Sequence, residues 1–341
     1  MSEPVPFDCV LVTSFGGPEH PSDVRPFLSN VTKGRNIPEE RLVLVEQQYQ
    51  ALGGKSPLND HNRAFAKALE QQLADDGVAL PVFLGNRNWH PFLSDTVAEL
   101  GAQGFRRAVA FVTSAYSSYS GCRQYREDLA QAISNDASFS IQVTRKCFTE
   151  AGFLDPIVDN VRAAFGTLDP AVASCAFLVG TAHSIPMSMA DTSDYEQQLQ
   201  AVLKYVARQT GVEDCVSLAF QSRSGSPSTP WLEPDIGDVV ESLAAKGVPH
   251  VVVAPIGFLS DHVEVLWDLD HLAAGRAAAA GIGITRVSTP GLDPRMVASV
   301  SQLVREVIGQ VPSVESGRLD LPSRWCGDKC CPAPTGHGAP T

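Results

Sequence analysis

The chain has 341 residues, of which 44% are hydrophobic and 19% are charged, and its formal net charge at pH 7 is −12. This length suits two domains of ordinary size or one large α/β unit. The negative charge argues against a nucleic-acid-binding protein and against broad docking on anionic membranes, because both need clustered Lys and Arg.

Short apolar strands alternate with longer helical stretches, which predicts an α/β fold with parallel sheets flanked by helices. The predicted strands are residues 9–13, 80–84, 108–113, 176–180, 216–220 and 250–256. The predicted helices are residues 62–75, 94–101, 125–134, 194–210 and 238–246, with a last helix inside 290–310.

Three predicted strands fall in each half of the chain, so we expect two Rossmann-like domains. We predict a first domain over residues 1–150 and a second over 151–311, with the boundary near residues 147–152, before a turn over 153–156. A cysteine-containing tail follows over 312–341. Its end, from Pro332 to Thr341, is rich in Pro and Gly and is predicted to be disordered.

The cellular setting is predicted from what the sequence lacks. No apolar run approaches the roughly 20 residues that a membrane-spanning helix needs. Residues 1–6 lack the basic and apolar regions of a signal peptide. We therefore expect a cytoplasmic protein without stable membrane insertion, and we expect a monomer. In that compartment the eight cysteines are not expected to form a disulfide framework, and Cys9, Cys175 and Cys215 are predicted to be small core residues.

Polar residues follow the predicted strands, and in open α/β sheets ligands bind beyond the carboxyl ends of strands. Glu264 and Asp268 follow the strand over 250–256 and share one face if the segment is helical. Two neighbouring carboxylates repel each other, which favours a role with a cation or a proton. A solvated helix face is the alternative, with Asp261 as an N-cap. His183, at the end of another strand, is either a cleft side chain or a structural histidine.

Two motifs together indicate a family. Thr-Ala-His-Ser-Ile-Pro at 181–186 and Gly-Phe-Leu-Ser-Asp-His-Val-Glu at 257–264 resemble the signature motifs of ferrochelatases. The segments 14–18, 53–58 and 85–89 agree, so the resemblance runs from about residue 8 to residue 311. It implies two Rossmann-like domains around a porphyrin cleft, and an enzyme that inserts ferrous iron into a porphyrin during haem synthesis.

The resemblance also implies roles for individual residues. His183 and Glu264 would be the catalytic pair and the ligands of the substrate iron, on opposite faces of the macrocycle. Asp268 would continue an acidic track for metal or protons. Many relatives carry a third acid one turn later, where this chain has Leu272, so the track is shorter or solvent replaces its outer end.

The substrate-binding residues implied by the resemblance are Ser56, Tyr125, Phe15, Lys33 and Arg35. Phe15 stands where many relatives carry a tyrosine that can approach the metal, and a phenyl ring cannot ligate it. Lys33 and Arg35 would meet propionate groups, with a solvated loop as the alternative. Gln48 replaces an arginine of the relatives, so at least one salt bridge to a carboxylate is lost.

The tail cysteines need a separate explanation. Cys326, Cys330 and Cys331 supply three thiolates, and a four-thiolate site needs one more ligand. In cluster-bearing ferrochelatases the fourth ligand is an internal cysteine followed by Phe, which Cys147 matches. The resemblance therefore implies a structural [2Fe–2S] cluster. A zinc site and an unliganded tail are the alternatives.

The identity of the porphyrin is predicted from the lip of the cleft. Residues 87–94 contain no long apolar insertion of the kind found in membrane-bound, protoporphyrin-using relatives. The acidic composition and Tyr125 favour coproporphyrin III, which has four carboxylates. The alternatives are a protoporphyrin IX ferrochelatase, a cobalt chelatase for a corrin precursor and a non-catalytic haem or metal carrier.

Overall fold

The structure is a computed structural model that describes residues 7–34, 37–134, 138–224, 228–313, 317–321, 327 and 330–334. It contains two sheets, each of four parallel strands. The strands are β1 (Cys9–Ser14), β2 (Val82–Asn86), β3 (Arg107–Val112), β4 (Ser140–Val143), β5 (Phe177–His183), β6 (Val216–Gln221), β7 (His250–Ala254) and β8 (Gly283–Arg286).

Helices connect and cover the strands. In the first half they are α1 (Val24–Val31), α2 (Glu39–Ala51), α3 (Leu58–Asp75), α4 (Leu93–Ala102), α5 (Gln124–Ala132) and α6 (Ala151–Gly166), with a 3₁₀ turn at Pro21–Asp23 and a π-helical segment at Tyr119–Arg123. In the second half they are α7 (Pro170–Ala173), α8 (Met187–Ala190), α9 (Tyr195–Thr210), α10 (Ile236–Ala245), α11 (Val263–Val265), α12 (Ala274–Ala280) and α13 (Pro294–Val307), with a π-helical segment at Leu266–Ala273.

The two sheets have the same strand order. The first sheet runs β2-β1-β3-β4 and the second runs β6-β5-β7-β8, with every pairing parallel. In each sheet, therefore, the chain leaves the first strand toward one side and later returns to its other side. The carboxyl end of that strand, β1 or β5, is the topological switch point where a crevice opens. This arrangement confirms the predicted α/β fold class.

One large hydrophobic cluster joins the two halves. It contains Val10 of β1, Leu178 of β5 and Val300 of α13, all fully buried. Helix α13 packs against α6 and also against α3, so the last helix contacts the first half of the chain. The division at residue 150 stays a prediction, although α6 begins at the next residue.

The structure adds elements that the sequence pattern missed. The edge strands β4 and β8 have four residues each, too short for an alternation to stand out. The predicted turn over 153–156 is wrong, because Pro156 lies inside α6. Of the three cysteines predicted to be core residues, Cys9 is buried, Cys215 is half-buried and Cys175 is exposed.

The tail is described in parts. Residues 317–321 lie against the body, where Arg318 contacts Asp155 and its Nη1 donates to the Tyr205 hydroxyl at 2.9 Å. Cys326 and Arg35 lie outside the described residues, as does most of the end that is predicted to be disordered. In the described part of the chain, no helix combines the length and apolar character required to span a membrane.

Candidate active site at the switch point of the second sheet

Side chains from three neighbouring elements meet at the carboxyl end of β5. His183 is the last residue of β5 and pairs in register with Gln221, the last residue of β6. The chain after β7 leads into α11 and the π-helical segment, which carry Glu264 and Asp268. Since β5 is the switch-point strand, these residues lie where an open α/β sheet binds its ligand.

Backbone contacts fix the ring of His183. Its Nδ1 lies 2.5 Å from the carbonyl oxygen of Ser184, and a carbonyl only accepts hydrogen bonds, so Nδ1 carries the proton of the neutral ring. The hydroxyl of the buried Tyr195 donates to the His183 carbonyl at 2.9 Å. The Nε2 lone pair is thereby left available to accept a proton or bind a metal ion.

Glu264 lies between two imidazoles. Its Oε2 is 3.5 Å from Nε2 of His183 and 3.3 Å from Nε2 of His262. Burial by itself raises the pKa of Glu264. The hydrogen bond from His262, the charge of Arg41 and the positive charges that His183 and His262 carry when they are protonated outweigh burial and lower the pKa to about 2. The carboxylate is therefore ionised at neutral pH.

The contact between His183 and Glu264 corrects one expectation. A flat ring with one side chain on each face would separate the two groups by about 7 Å, twice an ordinary contact distance of about 3.5 Å. The 3.5 Å separation leaves no space for a macrocycle between them. The prediction of opposite faces is wrong, and the two groups reach the crevice as one unit from the same side.

Asp268 lies beside this unit. Burial raises the pKa of Asp268 and the charge of Glu264 raises it further, while the hydrogen bond from Ser222 lowers it, and the result is about 6. Ser222 donates through Oγ to the Asp268 carboxylate. Its own backbone is in the left-handed region with φ of 63°, a conformation that is rare outside glycine and recurs at functional sites.

Residues that the sequence analysis did not assign complete the site. Gln221 is buried, and its Nε2 donates to the Glu264 carbonyl at 3.4 Å. His262 packs against Phe258 with ring centroids 5.2 Å apart and the rings tilted by 45°. The polar strand end after β6 was the available signal for Gln221 and Ser222. Asp261 is not the N-cap of α11, because His262 occupies that position, and Asp261 instead pairs with Arg286 at 3.1 Å.

Helices α1 and α2 form the wall contributed by the first half. Tyr49 of α2 is buried in a cluster with Phe27 of α1 and with Val263, the residue before Glu264. Phe15 follows β1, the switch-point strand of the first sheet, and contacts Phe27 edge-on at 6.2 Å with 40% of its surface exposed. Lys33 is exposed in the loop between the two helices.

Two of the predicted substrate-binding residues are buried. Ser56 is 2% exposed, and its Oγ accepts a hydrogen bond from the Leu58 amide at the start of α3. Tyr125 is 4% exposed, and the Arg87 guanidinium lies over its ring at 4.6 Å from the centroid. Both side chains are therefore packed in the protein interior in this structure.

The tail meets the body at the segment that begins α5. Arg123 donates through Nε and Nη2 to the Cys330 carbonyl at 3.1 and 2.8 Å, and Cys331 is buried. Lys146, the neighbour of the buried Cys147, donates to the Gly121 carbonyl at 2.5 Å. Burial raises the pKa of Cys147 to about 12. The neighbour of Cys147 and the tail at Cys330 thus both contact residues 121–123.

No metal centre is preformed in the described ranges. Among those residues, no group of three or more His, Cys, Asp or Glu side chains is arranged to hold a metal ion. His183, His262 and Glu264 lie together but contact one another. Their Nε2 and Oε2 atoms are 3.3–3.5 Å apart, which is the spacing expected for two ligands that each lie about 2.1 Å from one shared metal ion.

Comparison with known proteins agrees with this architecture. A family model described as Ferrochelatase matches residues 8–308. A relative from Frankia alni named coproporphyrin III ferrochelatase is 49% identical, covering 96% of this chain and 87% of the relative. One of the same name from Streptomyces griseus is 45% identical, covering 98% and 95%.

A solved structure of SirB from Bacillus subtilis with Fe³⁺ superimposes with a TM-score of 0.53 at 11% identity, covering 89% of this chain and 96% of that chain. This likeness concerns the fold alone. The two matched sheets and the crevice at the end of β5 define an α/β protein with the chelatase fold. Within that class, the chain belongs to the ferrochelatase family.

Proposed function

We propose that the protein inserts ferrous iron into coproporphyrin III in haem synthesis. The observation that carries this proposal is the contact of His183 with Glu264 at the switch point of the second sheet. Relatives from Frankia alni and Streptomyces griseus that match nearly the whole chain are named coproporphyrin III ferrochelatase.

His183 is the first proton acceptor in this proposal. Metal insertion requires two pyrrole N–H protons to leave the macrocycle. The Ser184 carbonyl holds the proton of His183 on Nδ1, so Nε2 is free to take a pyrrole proton. The imidazolium that forms is stabilised by the ionised carboxylate of Glu264, whose Oε2 lies 3.5 Å away.

Glu264 and Asp268 attract the substrate iron, and Asp268 also receives a proton. Carboxylate oxygens and imidazole nitrogens are suitable ligands for ferrous iron as it loses water. The pKa of Asp268, about 6, allows this side chain to exchange a proton near neutral pH. The acidic track ends at Asp268, because the residue one turn later is Leu272, an apolar side chain that is 50% exposed.

The remaining site predictions stand as proposals of substrate binding. Phe15 and Lys33 are exposed and could contact the ring and a propionate group directly. Ser56 and Tyr125 are buried. Tyr125 can contact the substrate only if Arg87 moves off its ring, and Ser56 only if the turn at Leu58 opens. Arg35 belongs to the same proposal and lies outside the described residues.

A turnover assay tests the proposal. The protein receives ferrous iron without oxygen, with coproporphyrin III or protoporphyrin IX, and product is followed by visible absorbance. We expect turnover with coproporphyrin III, and a loss of at least about 100-fold in His183→Ala with porphyrin binding retained. His271→Ala is the control. It removes an exposed histidine from the π-helical segment that carries Asp268, and it should keep most activity.

Each contrary result has a defined meaning. Preferred turnover of protoporphyrin IX would identify the alternative substrate. Tight porphyrin binding without turnover of either porphyrin would indicate a carrier. Retained turnover in His183→Ala would remove His183 from its proposed role.

We also propose that Cys147, Cys326, Cys330 and Cys331 hold a structural [2Fe–2S] cluster. Two cationic residues in the described ranges support this proposal, because the cluster with its thiolates is anionic. Arg123 donates to the Cys330 carbonyl, and Lys146 is the neighbour of the buried Cys147. When bound, the cluster supplies a thiolate-linked tie between the tail and the body. The thiol of Cys147 stays protonated until a metal ion displaces its proton.

Visible absorbance tests the cluster. We expect Cys147→Ser to lose the absorbance of iron–thiolate bonds between about 400 and 600 nm. Cys175→Ser, which changes an exposed cysteine, should leave it unchanged. A colourless wild-type protein that carries zinc would contradict the proposal.

A further inference from the structure

Arg41 is an exposed guanidinium group at the mouth of the crevice that forms no ion pair with any described residue. Within the described ranges, its one hydrogen bond runs from Nη2 to the backbone carbonyl of Arg223, at 3.4 Å. By contrast, Arg25 of the neighbouring α1 contacts the carboxylates of both Glu39 and Glu46. In a chain with a net charge of −12, a cation without an acidic partner is available for an external anion.

The contact with Arg223 places this guanidinium close to the catalytic unit. Arg223 directly follows Ser222, which binds Asp268, and Gln221, which binds the Glu264 carbonyl. Arg41 therefore reaches from α2, in the first half of the chain, to the strand end that supports both acids. Its charge also contributes to the low pKa of Glu264.

The surface around Arg41 has an apolar component. Val43 and Leu44 of the same helix are 38% and 52% exposed, among the few large apolar side chains that are open to solvent in the described residues. Arg41 and Leu44 are three positions apart, so they are neighbours on the helix surface. An apolar ligand with a carboxylate at its rim matches this combination of side chains.

We propose that Arg41 binds a propionate carboxylate of the porphyrin substrate and thereby orients the macrocycle over His183 and Glu264. This inference rests on the proposed function. The present hydrogen bond to a neutral carbonyl is long, whereas a guanidinium binds a carboxylate at about 2.7–2.9 Å and often in a bidentate manner. Exchange of the Arg223 carbonyl for a propionate is therefore favourable.

A porphyrin titration tests the role of Arg41. Metal-free coproporphyrin III is titrated into wild type, Arg41→Gln and Arg41→Lys, and binding is followed by porphyrin fluorescence at two salt concentrations. We expect the Kd of Arg41→Gln to rise about fivefold at low salt, with a weaker dependence on salt than in wild type. Arg41→Lys keeps the charge but loses the planar fork, so its Kd should lie between the two.

Arg162→Gln is the matched control. Arg162 is also exposed and also donates through Nη2 to a backbone carbonyl, that of Gln209 at 3.1 Å, but it lies on α6 away from the crevice. Unlike Arg41, it also forms an exposed ion pair with Asp159 at 3.0 Å. This variant removes the same charge from the whole molecule. In turnover, we expect Arg41→Gln to raise the KM for coproporphyrin by the same factor as the Kd, while the KM for ferrous iron changes by less than about twofold.

The outcomes separate this inference from the proposed function. Equal Kd values and salt dependences for Arg41→Gln and Arg162→Gln, in a protein that turns over coproporphyrin, would overturn the role of Arg41 alone. A wild-type protein that neither binds nor metallates coproporphyrin would overturn both proposals. If Arg41→Gln lowers the melting temperature but leaves the porphyrin Kd unchanged, Arg41 stabilises the contact between the two halves and does not bind the substrate.

Discussion

At the scale of single residues, the site depends on how neighbours set the protonation of two carboxyl groups. Glu264 lies between His183 and His262, so its charged form is favoured and its pKa falls to about 2. One turn away, Asp268 is half-buried beside that charge, and its pKa rises to about 6. Two acids on one helix thus receive different tasks from their surroundings.

The raised pKa of Asp268 predicts a pH-dependent cost to stability. The folded pKa lies above the ordinary value of 3.8, so folding favours the protonated form. Below about pH 4 the carboxyl is protonated in both states and costs nothing, and between about pH 4 and 6 the penalty develops. We expect Asp268→Asn to raise the free energy of unfolding by about 1–2 kcal/mol at pH 8.

Urea unfolding at two pH values checks this prediction. The gain of Asp268→Asn over wild type should be present at pH 8 and absent at pH 4, which makes the variant its own control. An equal gain at both pH values would mean that packing rather than ionisation is responsible. A loss of stability at pH 8 would show that the Ser222 hydrogen bond outweighs the burial of charge.

At the scale of elements, the close packing of α6 against α13 restricts which residue can stand at their contact. Helix α6 lies so near α13 that a Cβ added at Gly152 would be 1.9 Å from the Arg295 carbonyl oxygen. The Gly152 amide donates to Ser299 Oγ at 3.1 Å across the same contact. Glycine is therefore required at this position for backbone approach, although its backbone is helical.

We predict that Gly152→Ala destabilises the protein by at least about 2 kcal/mol, because the two helices must move apart. Gly166→Ala is the control on the same helix, where an added Cβ meets nothing within 4 Å. That change should be neutral or slightly stabilising, since Ala has the higher helix propensity. Thermal unfolding of both variants measures the difference, and similar melting temperatures would contradict the close contact.

At the scale of the whole molecule, the two sheets share one hydrophobic cluster and are joined by a buried hydrogen bond. The hydroxyl of Tyr116, in the first half, donates to the Ile256 carbonyl in the second half at 2.8 Å. Tyr116 is 2% exposed and packs edge-on against Phe153 of α6. These contacts couple the half that carries Phe15 to the half that carries His183.

This coupling predicts a single unfolding transition. We expect Tyr116→Phe to lower the free energy of unfolding by about 1–3 kcal/mol, because the Ile256 carbonyl loses its donor in the interior. The whole transition should shift together in calorimetry. Tyr205→Phe removes a hydroxyl that binds Arg318 at the surface and should have a smaller effect. Two resolved transitions, of which one alone shifts, would contradict the coupling.

The sequence by itself determined the α/β class, the six longest strands and the pairing of His183 with Glu264 through two motifs. These features are local, since apolar runs and motif residues follow from the order of amino acids. The sequence did not reveal β4 and β8, which are too short for a pattern, or helix α6, whose Pro156 reads as a turn.

Only the tertiary structure decided how the site is assembled. It brought His183 into contact with Glu264 on one side of the crevice, where opposite sides were expected. It also placed Ser222 against Asp268 and directed Arg41 to the strand end of the other half. The physical reason is that these contacts join residues far apart in the chain, whose separation is fixed by sheet register and helix packing rather than by any local pattern.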